Sequence, residues 1–151
     1  MLAVDAVSVA KVKRLPQDLT GIGLLLLNLD EARALLAVSQ VSPERAVDAL
    51  LDRGAVRVVL TLGKAGLIAA DRSGSVRIGA AKANVADATG AGDALIAAIL
   101  VTLLNGSSLA EAAWLGAVAA ALTLESTASV RPDLSLALLE SAMSRSSPPI
   151  V

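Results

Sequence analysis

Four consecutive leucines, Leu24 to Leu27, framed by Gly23 and Asn28, constrain this 151-residue chain more than any other stretch. A run with no polar position has no solvent face, so it suits a strand buried on both sides, as in a parallel sheet covered by helices. The segments around it fit that reading. Leu2 to Val7 reads as a short buried strand with Asp5 near its end, and Ser8 caps a helix over Val9 to Leu15 that stops at Pro16. A helix over Asp30 to Val38 follows the leucines. Ser42-Pro43-Glu44 opens another, with serine at the N-cap and proline at the first helical position. Its apolar residues Ala46, Val47, Leu50 and Leu51 share one face, and Gly54 closes it.

Ala55 to Thr61 is the clearest strand. After a turn over Leu62 to Gly66 come strands Leu67 to Ala70 and Val76 to Gly79, joined by a hairpin turn at Asp71-Arg72-Ser73-Gly74. Two helices, Gly92 to Leu104 and Ser108 to Leu124, meet at Asn105-Gly106. A last helix, Asp133 to Met143, starts behind Pro132, and residues 144–151 read as a frayed tail. Strands alternating with helices at this spacing predict an α/β domain with a mostly parallel sheet, one domain over residues 1–151.

Composition narrows the chemistry. The chain is 55% hydrophobic with a mean hydropathy of +0.70, almost all of it Ala, Val and Leu, and Trp114 is its one aromatic residue. Trp114 reads as core. The longest apolar-looking run, Ala94 to Leu104, is too short to span a bilayer, and no leader pattern opens the sequence. The expectation is a cytoplasmic protein with no membrane partner. A net charge of −1 offers no basic field for nucleic acid. Without Cys or His, disulfides, zinc fingers and histidine catalysis are excluded, leaving carboxylates, main-chain amides, Lys, Arg and a hard cation such as Mg²⁺.

Chemistry concentrates in Asp87-Ala88-Thr89-Gly90-Ala91-Gly92-Asp93, a tight small-residue loop running into a helix. The first N–H groups of a helix lack intrahelical partners and its dipole favours negative charge, so such a loop can cradle a phosphoryl group. Asp93, in the first turn, could accept a proton from an incoming hydroxyl. Other phosphate loops do not fit. Gly63-Lys64 is followed by Ala65 and lacks the earlier glycine of a Walker A loop, and Leu95 occupies the third glycine position of a dinucleotide fingerprint.

The loop resembles the second signature of the ribokinase-like (PfkB) carbohydrate kinases, commonly Asp-Thr-x-Gly-Ala-Gly-Asp. Asn28-Leu29-Asp30-Glu31 is similar to the family's Asn-x-x-Glu motif, and Thr61-Leu62-Gly63-Lys64-Ala65-Gly66 to its Thr-x-Gly-x-x-Gly turn. Asp5 to Lys11 and Ala121 to Ser126 look like bacterial pseudouridine kinase-like members. The resemblance implies the C-terminal half of a three-layer α/β/α kinase, in which ATP phosphorylates a sugar or nucleoside hydroxyl. It implies Asp93 as catalytic base and the amides of Gly90, Ala91, Gly92 and Asp93 as the anion hole. Asn28 and Glu31 would hold Mg²⁺ through waters. Thr61, Gly63 and Gly66 would line the ribose and adenine side, and Asp87 a monovalent cation such as K⁺.

Plainer roles compete at each position: a first-turn charge for Asp93, helix capping for Asn28 and Glu31, a structural hairpin for Thr61 to Gly66, and solvent exposure for Lys64. Ala88 departs from the family's usual Thr or Ser. Family members are about twice as long, so the reading also includes a truncated remnant without catalysis and an oligomeric scaffold. Loss of the other half should expose an apolar sheet edge, which predicts a homo-oligomer or a covering partner.

Overall fold

The computed structural model of the chain describes residues 1–87, 89–128 and 130–144. It forms two compact units, residues 1–63 with 67–77, and residues 64–66 with 78–151. In the first unit, β1 (Leu2–Asp5), β2 (Ile22–Asn28), β3 (Arg57–Thr61), β4 (Leu67–Asp71) and β5 (Gly74–Ile78) lie side by side in chain order. β1, β2 and β3 run parallel and β4 is antiparallel to β3, so the sheet is mixed with a parallel core. The crossovers carry α1 (Val9–Val12), then α2 (Leu29–Leu36) and α3 (Pro43–Asp52).

The leucine run behaves as its composition demands. Leu25 and Leu27 join Val58, Leu60, Ile68 and Ala70 in a core with Ala32 and Leu35 of α2 and Ala46, Val47 and Leu50 of α3. Leu24 and Leu26, on the opposite face, are buried as well. Fully burying one such leucine contributes about 1.5–3 kcal/mol. Arg53, just after α3, donates to the carbonyls of Leu35 (2.9 Å) and Leu36 (3.5 Å), closing the end of α2.

Helix and strand ends differ from expectation where side chains or main-chain groups have other partners. α1 ends at Val12, because the N–H groups of Arg14 and Leu15 turn back to Lys11 and Val12 in tighter bonds. β3 begins at Arg57, because the Ala55 amide returns to the Leu50 carbonyl at the end of α3.

The second unit holds α4 (Ala91–Leu104), α5 (Leu109–Leu124) and α6 (Leu136–Ser144). α4 packs closely on α5 at Gly116, where a Cβ would lie 2.7 Å from Ile99 Cγ1 and 3.0 Å from the Leu95 carbonyl oxygen. Trp114 is buried, as its core reading requires. α6 starts at Leu136 rather than Asp133. The Asp133 carboxylate is engaged by Arg131, and the Ser135 hydroxyl instead accepts the Leu138 N–H in the first turn. Of the tail expected over 144–151, Ser144 is the last residue of α6, and residues 145–151 lie outside the described residues. Among the described residues no helix is long and apolar enough to cross a membrane.

Candidate active site

In the second unit the small-residue loop is built around Asp87 and Gly90. Asp87 Oδ1 accepts from both the N–H (2.9 Å) and the hydroxyl (2.8 Å) of Thr89, folding the chain back on itself. Gly90 then takes φ 83°, ψ −8°, a left-handed conformation that costs a side-chain-bearing residue ~1–2 kcal/mol. Ala88 lies outside the described residues.

Gly90 is the N-cap of α4, and it has no side chain to close the helix. The other long-loop starts differ: Asn28, Ser42 and Ser108 each accept a first-turn N–H on α2, α3 and α5. The first α4 bond of this kind is from the Ala94 N–H to the Gly90 carbonyl. The N–H groups of Gly90, Ala91, Gly92 and Asp93 donate to no other group among the described residues. Four free donors at the positive end of a 14-residue helix suit an anion. Asp93, in that first turn, is exposed.

In the first unit Asn28 and Thr61 are register partners at the carboxyl ends of β2 and β3, where ligands of parallel α/β sheets commonly bind. The Thr61 hydroxyl leans toward the Leu27 carbonyl at 3.5 Å. Gly63 opens a 3-10 turn over Gly63–Ala65, and Lys64 is exposed, in keeping with its solvated reading. Gly66, in the second unit, lies against the main chain of Ile78 to Ala80.

Asn28 and Glu31 form a reciprocal capping box. The Glu31 N–H donates to Asn28 Oδ1 (2.9 Å) and the Asn28 N–H to Glu31 Oε2 (2.8 Å), with Glu31 only 5% exposed. The capping role is therefore real for both side chains. It leaves metal contact to the second Glu31 oxygen or to an intervening water. Among the described residues no group of three His, Cys, Asp or Glu forms a metal cage. This donor set fits magnesium only as a water-rich ion carried with a nucleotide, the manner in which Mg²⁺ commonly binds. Glu31→Gln separates the two roles, since a glutamine carbonyl still accepts the Asn28 N–H but carries no charge. We expect a fall in melting temperature no larger than the lost helix-dipole contribution of ~0.3–1 kcal/mol, with a weakened response to Mg²⁺. Asn28→Ala should cost about 1 kcal/mol of stability, read from a urea transition.

Two contributors were not singled out as site residues from the sequence. The carboxyl end of α5 receives the loop: the Leu124 carbonyl accepts from the N–H groups of Ala86 (2.7 Å) and Asp87 (3.3 Å), and Glu125 Oε1 from the Asn84 N–H (3.2 Å). Arg131 donates to the Leu122 carbonyl (2.7 Å) and forks onto Asp133 (2.8 and 3.1 Å). That hydrogen-bonded pair raises the Arg131 pKa and holds the Asp133 carboxyl below its ordinary value.

Residues 4–135 match the pfkB family carbohydrate kinases. The chain belongs to this family. It is 34% identical over 120 residues to the guanosine-inosine kinase of Exiguobacterium acetylicum, covering 76% of this chain and 39% of that protein. It is 36% identical over 109 residues to the ATP-dependent 6-phosphofructokinase isozyme 2 of Mycobacterium tuberculosis, covering 70% and 32%. In structure it aligns with the ribokinase of Thermotoga maritima at a TM-score of 0.80 and 22% identity, over 93% of this chain and 48% of that one. The fold is thus the ribokinase-like α/β fold, and the chain spans less than half the length of each of these relatives. PfkB kinases act on small sugar or nucleoside substrates and use ATP with a divalent metal.

Proposed function

We propose that this chain supplies the nucleotide-binding and catalytic-base part of an ATP-dependent sugar or nucleoside kinase working in the cytoplasm. The observation that carries the reading is the open first turn of α4, with four unpartnered main-chain donors among the described residues and exposed Asp93 beside them. Phosphoryl transfer requires positioning and charge stabilisation more than covalent chemistry, and this is what such a turn supplies.

In this reading the Asp93 carboxylate takes the proton of the acceptor hydroxyl as its oxygen bonds to the γ-phosphorus. The bond from that phosphorus to the bridging oxygen breaks, and ADP leaves. The amides of Gly90, Ala91, Gly92 and Asp93 hold the charge on the transferring group. Thr61, Gly63 and Gly66 line the ribose and adenine side of the nucleotide. Mg²⁺, when bound with ATP, would neutralise phosphate charge, and Asn28 and Glu31 are the residues that would hold it through waters. Asp87 contributes to a monovalent-cation site for K⁺. Sugars and nucleosides, pseudouridine among the latter, are the acceptor candidates, in keeping with relatives named a guanosine-inosine kinase (34% identity) and an ATP-dependent 6-phosphofructokinase (36%).

A second reading is a remnant that keeps the fold and binds nucleotide without turnover. Met1, Leu2, Val7 and Val9 are exposed at and beside the edge strand β1, which supports a second copy or a partner covering that side. Thermal unfolding with and without Mg-ATP tests the nucleotide site. At a hundredfold excess over Kd, a ligand specific to the native state adds about 2.7 kcal/mol. A rise of several degrees is expected, and none would contradict the reading. ADP production with sugars, guanosine, inosine and pseudouridine then distinguishes kinase from remnant.

A further inference from the structure

The stretch Ala121 to Ser126 is not used by the phosphoryl chemistry, yet it touches the loop that is. The last carbonyls of a helix need donors from outside the helix. In α5 these partners come from the phosphate loop and from Arg131. Leu124 accepts two loop amides, Ala86 and Asp87, Leu122 accepts Arg131, and the Glu125 side chain accepts the Asn84 N–H. Glu125 also sits close enough to Arg131 to contribute to its raised pKa. Downstream of the loop, α4 is fixed against the same helix where Gly116 meets Leu95 and Ile99. Both ends of the segment that presents Gly90 to Asp93 are therefore anchored on α5.

We infer that Glu125 and Arg131 are positioning residues: Glu125 holds residues 84–87 on the carboxyl end of α5, Arg131 fixes that helix end through the Leu122 carbonyl, and together they set the aim of the α4 donors. The inference rests on the phosphoryl-site reading above. Neither residue contacts the transferring group in this scheme. Their effect reaches it through the main chain of residues 84–87.

The conservative variant gives a sharp test, because Glu125→Gln keeps a carbonyl oxygen for the Asn84 N–H whereas Glu125→Ala removes it. Amide hydrogen exchange of Asn84, Ala86 and Asp87 is measured without nucleotide, and Mg-ATP affinity by calorimetry well below the unfolding temperature. Glu125→Ala should speed exchange at those amides and weaken Mg-ATP binding about threefold to tenfold, the range of one lost hydrogen bond. Glu125→Gln should restore both. Arg131→Gln, which gives up the charged fork onto Asp133, should change them in the direction of Glu125→Ala. Unchanged exchange, faster exchange with unchanged affinity, or a Gln variant as impaired as the Ala variant would each overturn the inference. Wild-type protein that fails to bind Mg-ATP would overturn the phosphoryl-site reading itself, a different result from wild-type binding that the variants match.

Discussion

Asp93→Asn should lower the rate of phosphoryl transfer by a factor of about 10²–10⁴ while leaving the fold and the nucleotide site in place. Asparagine has nearly the same shape but cannot take up the hydroxyl proton. Asp93 is exposed and in the first turn of α4, so its charge adds only ~0.3–1 kcal/mol to stability through the helix dipole. Loss of rate should therefore far exceed loss of stability. Mg-ATP binding should persist, since the main-chain donors remain and one negative charge beside the triphosphate is removed. ADP production with an accepted substrate measures the first effect, and calorimetry the second. A variant with wild-type turnover would remove Asp93 from the chemistry.

Gly66→Ala should be the most destabilising single change in the three motifs. Gly66 has φ 86°, and an added Cβ would collide with the Ile78 carbonyl oxygen and lie 2.7 Å from the Gly79 carbonyl carbon and 2.8 Å from the Ala80 nitrogen. These are main-chain atoms, which cannot swing aside as a long side chain would. Backbone strain of ~1–3 kcal/mol and overpacking of similar size combine to roughly 2–6 kcal/mol. Gly63→Ala is the control. Its φ of 57° carries strain, but nothing lies within 4 Å of the new carbon. It should lose only ~1–2 kcal/mol. Urea transitions of the two variants measure the difference, and equal midpoints would show that the approach of Gly66 to residues 78–80 is not tight in solution.

Local chemistry made much of this architecture readable in advance. Leu24 to Leu27 could not face water on either side, and both faces are buried. Ser42-Pro43 starts α3 and Ser108 starts α5, because a serine hydroxyl three residues ahead of an N–H acts within one turn. Asn28-x-x-Glu31 was legible as either a cap or a metal motif; the hydrogen bonds establish the cap, and the ion remains a proposal.

Long-range partners were not readable in this way. Nothing in the spacing of Asn84 and Glu125, or of Leu122 and Arg131, reveals that one member of each pair caps or docks the other. Asp133 illustrates the same limit. Behind Pro132 it resembles a helix start, but its carboxylate is held by Arg131 and the helix waits for Ser135. The candidate site divides along this line. Its donors follow from the loop sequence itself, whereas the helix end that holds the loop does so through contacts made about forty residues later.

The central claim, that the first turn of α4 receives a phosphoryl group, is tested most directly by following the backbone amides of the labelled protein by NMR as Mg-ATP is added. The account requires saturable shifts at Gly90, Ala91, Gly92 and Asp93, reproduced in Asp93→Asn. Binding that leaves those four amides unmoved while shifting others would contradict it.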